Sequence, residues 1–234
     1  MIDFVCFKWK SSFKYRTTFL SKHVNVLHNM IGRNYGGNWR LTCVTDDPVG
    51  LDSRVRVIPL WKDHTNLQNP SAPGRGPVCY PRLKVFSRDA GEWLGKRIVQ
   101  IDIDCVIIQD ITPIVERTED FIIWGDTNKT TPYNGSLILF DAGCRPKVWE
   151  DFHPVKSPEL TKKLGYYGSD QAWISACLGP DEKKFGPQDG VYSYRNEIKD
   201  NRLPAGARIV IMHGQVDPWS QTAQWLPWVR QHWR

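Results

Sequence analysis

The chain has 234 residues, 41% hydrophobic and 24% charged, with 31 Lys+Arg against 25 Asp+Glu and a formal net charge of +6. That length predicts one large domain or two small ones, and the composition is that of a soluble globular protein, which excludes a disordered chain, a collagen and a coiled coil. No apolar run approaches the ~20 residues of a membrane span. The opening Met1–Phe7 carries an acidic residue and no basic region, so it reads as a buried first strand and not as a signal peptide.

The first strand is Phe4–Phe7, ending in Lys8-Trp9-Lys10. Leu20, Val24, Leu27 and Ile31 follow the i, i+4, i+7 rule, so residues 16–31 predict an amphipathic helix. Turn chemistry at Asn34–Asn38 closes it. Leu41–Thr45 and Val55–Leu60 are the second and third strands. Residues 62–79 hold His64, Asn66, Asn69, Pro70, Pro73, Gly74 and Gly76 and predict a long polar loop, a kind that is usually functional or mobile. A helix over Leu83–Leu94 precedes a buried strand at Ile98–Ile101. Phe121–Trp124 and Leu137–Phe140 are further strands, Gln171–Leu178 is a short helix, and Arg208–Met212 is the last strand. Strands alternating with helices mean an α/β layered domain with a single, mixed, mostly parallel sheet flanked by helices. No repeat or composition break divides the chain, so residues 1–234 read as one domain. Its last 16 residues, from Trp219, carry four Trp and read as a tail packed on the body.

Six cysteines fit no zinc spacing, and several lie in apolar runs where Cys acts as a small hydrophobe. Free thiols and a reducing cytoplasm follow as the expectation. The 11 Trp serve either as core filling or as flat faces that stack on sugars and bases. The positive charge favours an anionic partner such as a nucleotide, a phosphate or a nucleic acid.

The sharpest feature is Ile98-Val99-Gln100-Ile101-Asp102-Ile103-Asp104-Cys105-Val106-Ile107, a buried strand ending in two carboxylates at i and i+2. On an extended segment they face one side and repel. A hard divalent cation, Mg²⁺ or Mn²⁺, is the natural neutraliser, and the C-terminal ends of strands are where open α/β sheets bind ligands. The alternative is a solvated pair at a strand end.

Taken in order, several segments resemble the GT-A-fold nucleotide-sugar glycosyltransferases, especially the family 8-like group and related bacterial and phage proteins. They are Thr45-Asp46-Asp47-Pro48, Tyr80-Pro81-Arg82-Leu83, the D-x-D, Tyr133-Asn134-Gly135-Ser136, Gly168-Ser169-Asp170-Gln171, Ser193-Tyr194-Arg195 and Ile211-Met212-His213-Gly214 with Pro218-Trp219. The resemblance implies a GT-A, Rossmann-like fold, with a nucleotide-binding half at residues 1–105 and a sugar and acceptor half at 106–218. It implies Mn²⁺ or Mg²⁺ held by Asp102, Asp104 and His213, with Asp104 the direct ligand and Asp102 also near the donor ribose. It implies a nucleotide-sugar donor, a UDP-sugar, bound by Lys8, Trp9, Lys10, Asp46, Arg82, Asp102, Asn134 and Gly214. Trp9 or Tyr15 would stack on the base. Asp170, Gln171 and Asp126 are the candidates around the transferred sugar and the acceptor. Family 8 enzymes usually place a Lys two residues before the closing Trp to grip the diphosphate; here that slot is Asp217, and Arg82, Lys84, Lys8 or Lys10 are the replacements to consider.

The expected acceptor is a saccharide, a lipid-linked sugar or a protein or, in a phage-type variant acting on a modified base in host cytoplasm, DNA. Arg33, Arg40, Lys162, Lys163, Lys183, Lys184, Arg230 and Arg234, with Trp225, Trp228 and Trp233, are the residues that motivate DNA. A nucleic-acid or sugar-binding protein without catalysis is the competing class. Retention and inversion of the anomeric centre both stay open.

Overall fold

The computed structural model describes residues 1–10, 18–69, 74, 78–127 and 130–234. At its centre β1 (Ile2–Lys8) has β2 (Trp39–Thr45) on one side, followed by β3 (Arg56–Pro59). On the other side it has β4 (Arg97–Ile101). A short β5 (Cys105–Ile107) leaves the sheet after β4. Beyond β4 the main sheet continues through β7 (Tyr133–Asp141), β6 (Phe121–Gly125) and β8 (Lys184–Phe185), giving the order β3-β2-β1-β4-β7-β6-β8. Only β7 runs against its neighbours, so four of the six pairings are parallel.

All seven residues of β1 are buried. Successive side chains turn to opposite faces: Phe4 and Cys6 join the core on one side, Val5 and Phe7 the core on the other. Both faces are covered, which is why the strand reads as an unbroken apolar run. On the first face lies α1 (Ser21–Asn34), burying Val24, Leu27, Met30 and Ile31. The second face is covered by a three-residue-per-turn helix at Tyr80–Phe86, α2 (Ala90–Trp93), α4 (Lys147–Glu150) and α6 (Asp170–Leu178), with α3 (Thr112–Val115) following β5 and α5 (Lys156–Lys163) preceding α6. A second sheet of three strands, in order β5-β10-β9, is built from β9 (Val191–Ser193) and β10 (Ile209–Ile211), with α7 (Tyr194–Glu197) between them. The last predicted strand therefore lies outside the main sheet. The chain ends in α8 (Gln221–Gln224) and α9 (Pro227–His232).

The C-terminal segment packs on α1. The His23 ring stacks on Trp219, centroids 3.8 Å apart, and Arg33 donates to the carbonyls of His232 and Arg234 at 2.6 and 2.5 Å. Trp228 and Val229 are buried in the same core. All six cysteines are unpaired. Among the described residues, no helix is long and apolar enough to cross a membrane.

Several boundaries differ from those predicted. The helix expected at 16–31 starts at Ser21 and runs to Asn34; residues 16 and 17 lie outside the described residues. Pro70, Pro73 and Gly76 of the 62–79 loop and Tyr15 also lie outside them. The helix expected at Leu83–Leu94 is two pieces, because Ser87 turns extended (ψ 149°). The first piece buries Tyr80, Leu83 and Phe86, three residues apart, as its tighter turn requires. Asp102 and Asp104 do not continue an extended strand: they lie in the turn between β4 and β5. Asn134-Gly135-Ser136 does not precede a strand but belongs to β7.

The pairing of β6 with β7 contains a bulge. Ile123 faces Ile138, yet Trp124 faces Asn134. Three residues of β7, Gly135 to Leu137, thus have no counterpart on β6. They serve β4 instead: Leu137 pairs with Ile101, the Gly135 carbonyl accepts from Gln100 Nε2 at 3.0 Å, and the Ser136 carbonyl accepts from the Asp102 amide at 2.9 Å.

Candidate active site

After β1 the chain builds β2 and β3 to one side, then returns to lay β4 on the other. The switch leaves a crevice at the C-terminal ends of β1 and β4, the usual ligand position in open α/β sheets. Because β7 is antiparallel to β4, its first residues reach the same crevice, as does the end of β6. The result is one cavity of about 880 Å³, at the upper end of the range for small-molecule sites. It is lined by Phe7, Trp9 and Lys10 from the β1 end, Asp102, Ile103 and Asp104 from the turn after β4, and Asp126 and Thr127 after β6. Asn134, Gly135 and Ser136 come from β7, Ser169, Asp170 and Gln171 from the start of α6, and Arg195, Asn196, His213 and Gly214 from the small-sheet side.

Arg82 organises the floor. Its side chain is 8% exposed, with Nη1 2.8 Å from Asp102 Oδ1 and Nε 3.2 Å from Asp170 Oδ2. Its remaining Nη2 donates to the Gly135 carbonyl. One guanidinium therefore joins β4, β7 and α6. Two carboxylates hold it firmly protonated. Burial pushes the Asp170 carboxyl above its ordinary range, Asp102 pushes it the same way, and Arg82 opposes both. Gly135 leaves room for this contact, since a Cβ would lie 3.0 Å from Asp170 Oδ2 and 3.3 Å from Arg82 Nη2, tight enough that the pair would have to shift.

The opposite wall is fixed by the small sheet. The Met212 amide donates to the Asp104 carbonyl at 2.8 Å, tying the D-x-D turn to the residue before His213. Ser193 Oγ shares a 2.8 Å hydrogen bond with His213 Nε2, and Trp124 packs edge-on to the ring. Burial, then the Arg195 charge, lowers the His213 pKa, against the pull of Asp102, so the imidazole is neutral at neutral pH. At the rim Gln171 Nε2 donates to Asp126 Oδ2 at 3.0 Å and to the Tyr167 carbonyl at 3.1 Å.

Two carboxylates and a neutral imidazole on one cavity are a donor set that fits Mn²⁺ or Mg²⁺. They do not stand as a closed cage: among the described residues, no three His, Cys, Asp or Glu side chains are grouped to hold a metal.

Of the candidate site residues singled out from sequence, the cavity gathers Trp9, Lys10, Arg82, Asp102, Asp104, Asp126, Asn134, Asp170, Gln171, His213 and Gly214. Lys8 and Asp46 are not on its wall. Lys8 is the last residue of β1 and is buried in the sheet. Asp46, beyond β2, accepts the Lys10 amide at 3.0 Å and so shapes the loop after β1. Lys84 is also elsewhere, paired with Asp63 at 2.8 Å. Sequence reasoning missed Phe7, Thr18, Phe19, Tyr167, Arg195 and Asn196, all on the cavity wall.

No protein-family model matches the chain, and no curated protein matches it. Solved structures do. The galactosyltransferase LgtC, in complex with donor and acceptor sugar analogs, superposes with a TM-score of 0.65 over 98% of this chain and 93% of that one, at 12% identity. The glycosyltransferase GlyE of Streptococcus pneumoniae TIGR4 gives 0.56 over 94% of this chain and 57% of that one, at 11% identity. The apo form of the bifunctional glycosyltransferase WbbM gives 0.55 over 95% and 47%, at 12% identity. The architecture is accordingly the GT-A-like fold.

Proposed function

We propose that this chain is a glycosyltransferase that moves a sugar from a nucleotide-sugar donor, a UDP-sugar, to an acceptor hydroxyl. The observation that carries the reading is that the cavity at the sheet's switch point collects the D-x-D carboxylates, His213 and the Arg82–Asp170 pair on a fold similar to those of three sugar transferases.

Breaking the bond from the anomeric carbon to a diphosphate makes negative charge grow on the leaving group. Asp102, Asp104 and His213 would hold Mn²⁺ or Mg²⁺, which when bound supplies a Lewis acid for that charge. Phe7 and Trp9 offer apolar, stacking surface to the base. Asn134 is held by accepting the Ser136 amide at 3.0 Å, leaving its amide group for sugar hydroxyls. Asp170 is fixed by Arg82, so its oxygens are positioned for hydroxyl contacts and are not a loose base. Asp126 and Gln171, bonded to each other at the rim, are the groups that would meet the acceptor.

The DNA acceptor loses ground. Arg40 pairs with Asp3, Arg33 with the chain's last carbonyls, Lys183 with Glu119, and Trp228 is buried. A saccharide is the acceptor we propose.

The test is hydrolysis and transfer with a panel of UDP-sugars, with and without Mn²⁺, on the wild type and Asp104→Ala. Metal-dependent turnover that the substitution abolishes, with unchanged melting temperature, is the expected result. Turnover indifferent to both, or none with any nucleotide sugar, overturns the reading.

A further inference from the structure

Among the described residues, the cavity wall carries the carboxylates Asp102, Asp104, Asp126 and Asp170 and the cations Lys10, Arg82 and Arg195. A diphosphate leaving group brings further negative charge, which a protein cation beside the site would meet together with the metal. Arg82 is not available for this: Asp102, Asp170 and the Gly135 carbonyl occupy its guanidinium. Asp217, where the sequence resemblance would place a lysine, is buried and off the cavity wall. Lys10 and Arg195 remain, neither with a carboxylate partner among the described residues.

The two stand in different places. Lys10 lies past the end of β1, beside Asp46. Arg195 lies against the wall formed by His213 and Gly214: its Cδ and Nη1 are 3.4 and 3.7 Å from the point a Cβ on Gly214 would occupy. Gly214 has a φ of +107°, a conformation that suits glycine and leaves the backbone bare for close approach. The charge of Arg195 is felt at the His213 ring. The backbone beside Arg195 is anchored, because Ser193, its neighbour but one, both bonds His213 and accepts the Asn196 amide at 3.2 Å.

Resting on the donor reading above, we propose that Arg195 is the residue that grips the donor's diphosphate and meets the charge of the leaving group. A guanidinium presents a planar fork that matches phosphate oxygens in pairs. Placed beside His213 and bare Gly214 backbone, it presents a positive charge on that wall of the cavity.

The experiment titrates UDP, uridine and inorganic pyrophosphate calorimetrically, with Mn²⁺, against wild type, Arg195→Ala, Arg195→Lys and Lys10→Ala. Loss of one charged contact to phosphate weakens binding by about 10- to 100-fold. The expected pattern is that loss for UDP and pyrophosphate in Arg195→Ala, unchanged uridine affinity, partial recovery in Arg195→Lys, and a smaller effect in Lys10→Ala. Equal UDP affinity in Arg195→Ala and wild type overturns the assignment, as does a loss seen only in Lys10→Ala. Parallel loss of uridine and UDP also overturns it, because that marks a structural role. A wild type that binds UDP no better than uridine overturns instead the nucleotide-sugar reading on which the assignment rests.

Discussion

Arg82→Met removes the one cation shared by two carboxylates while keeping a long apolar stem in its place. At an effective dielectric of 20, unit charges about 3 Å apart attract by roughly 5–6 kcal/mol each, and the separations here are 2.8 and 3.2 Å. Desolvation offsets much of that, so the net cost of removing one partner of a buried pair is about 3–5 kcal/mol. A domain has only ~5–15 kcal/mol in total, so the variant should be severely weakened at neutral pH. Asp170, 5% exposed, is then left uncompensated. Two further outcomes follow. Its carboxyl, already raised by burial, rises further, so protonation relieves the folded state and the deficit shrinks as pH falls from about 8 to about 5. The double variant Arg82→Met/Asp170→Asn should regain ~1–3 kcal/mol over the single one. Urea unfolding of all four members of the cycle, at both pH values, measures this. A single variant within 1 kcal/mol of wild type, or additive effects in the cycle, would refute the reasoning.

The His23 imidazole, buried against Trp219, has its pKa lowered to about 4 by burial first and the Lys22 charge second. A depressed folded pKa gives stability that is present above the unfolded value of ~6.5 and is lost as pH falls through the folded one, on the order of 2–3 kcal/mol in all. His23→Phe keeps the stacking and removes the titration, so its urea stability should be flatter between pH 6.5 and 4; an unchanged slope removes His23 as the cause. Gly95 has a φ of +123°, and a Cβ there would lie 1.9 Å from Asp3 Oδ2, the oxygen pair that also receives Arg40. Gly95→Ala should destabilise by roughly 2–4 kcal/mol with activity per folded molecule unchanged, since Asp3 is near the opposite end of β1 from the cavity; a wild-type melting temperature would contradict this.

What could be read in the sequence depended on how far each signal is local. β1 and β4 were legible because burial on both faces writes an unbroken apolar run. The D-x-D was legible because two carboxylates in such a run are conspicuous. Its geometry was not: Asp104 faces the cavity through a turn tied to Met212, a partner more than a hundred positions away. The strands β5, β8 and β9, two or three residues long, carry too few side chains to show a period. The break at Ser87 is set by how Tyr80, Leu83 and Phe86 pack, and pattern alone continues the helix. Arg82 was visible as a candidate, but its double ion pair joins residues from three elements. Arg195 was quoted only as part of a Ser-Tyr-Arg string; nothing local distinguishes it from a surface arginine until Gly214 and His213 are brought beside it.

The bulge between β6 and β7 separates two things that strand pairing normally couples. From Ile123 toward the far end, the pairing of β6 with β7 answers only to the core, and Phe121, Ile122 and Ile123 meet Phe140, Leu139 and Ile138. From Trp124 onward it serves the cavity as well, where Asn134 reaches the wall while Trp124 and Tyr133 stay in the core. Of the three extra residues between, Gly135 and Ser136 line the cavity while Leu137 is buried in the core opposite Ile101, so the first two shape the cavity wall next to Asn134 and the third holds the register with β4. Variation confined to Ser136 and Asn134 would change the cavity wall while Leu137 and the pairing with β4 stay in place.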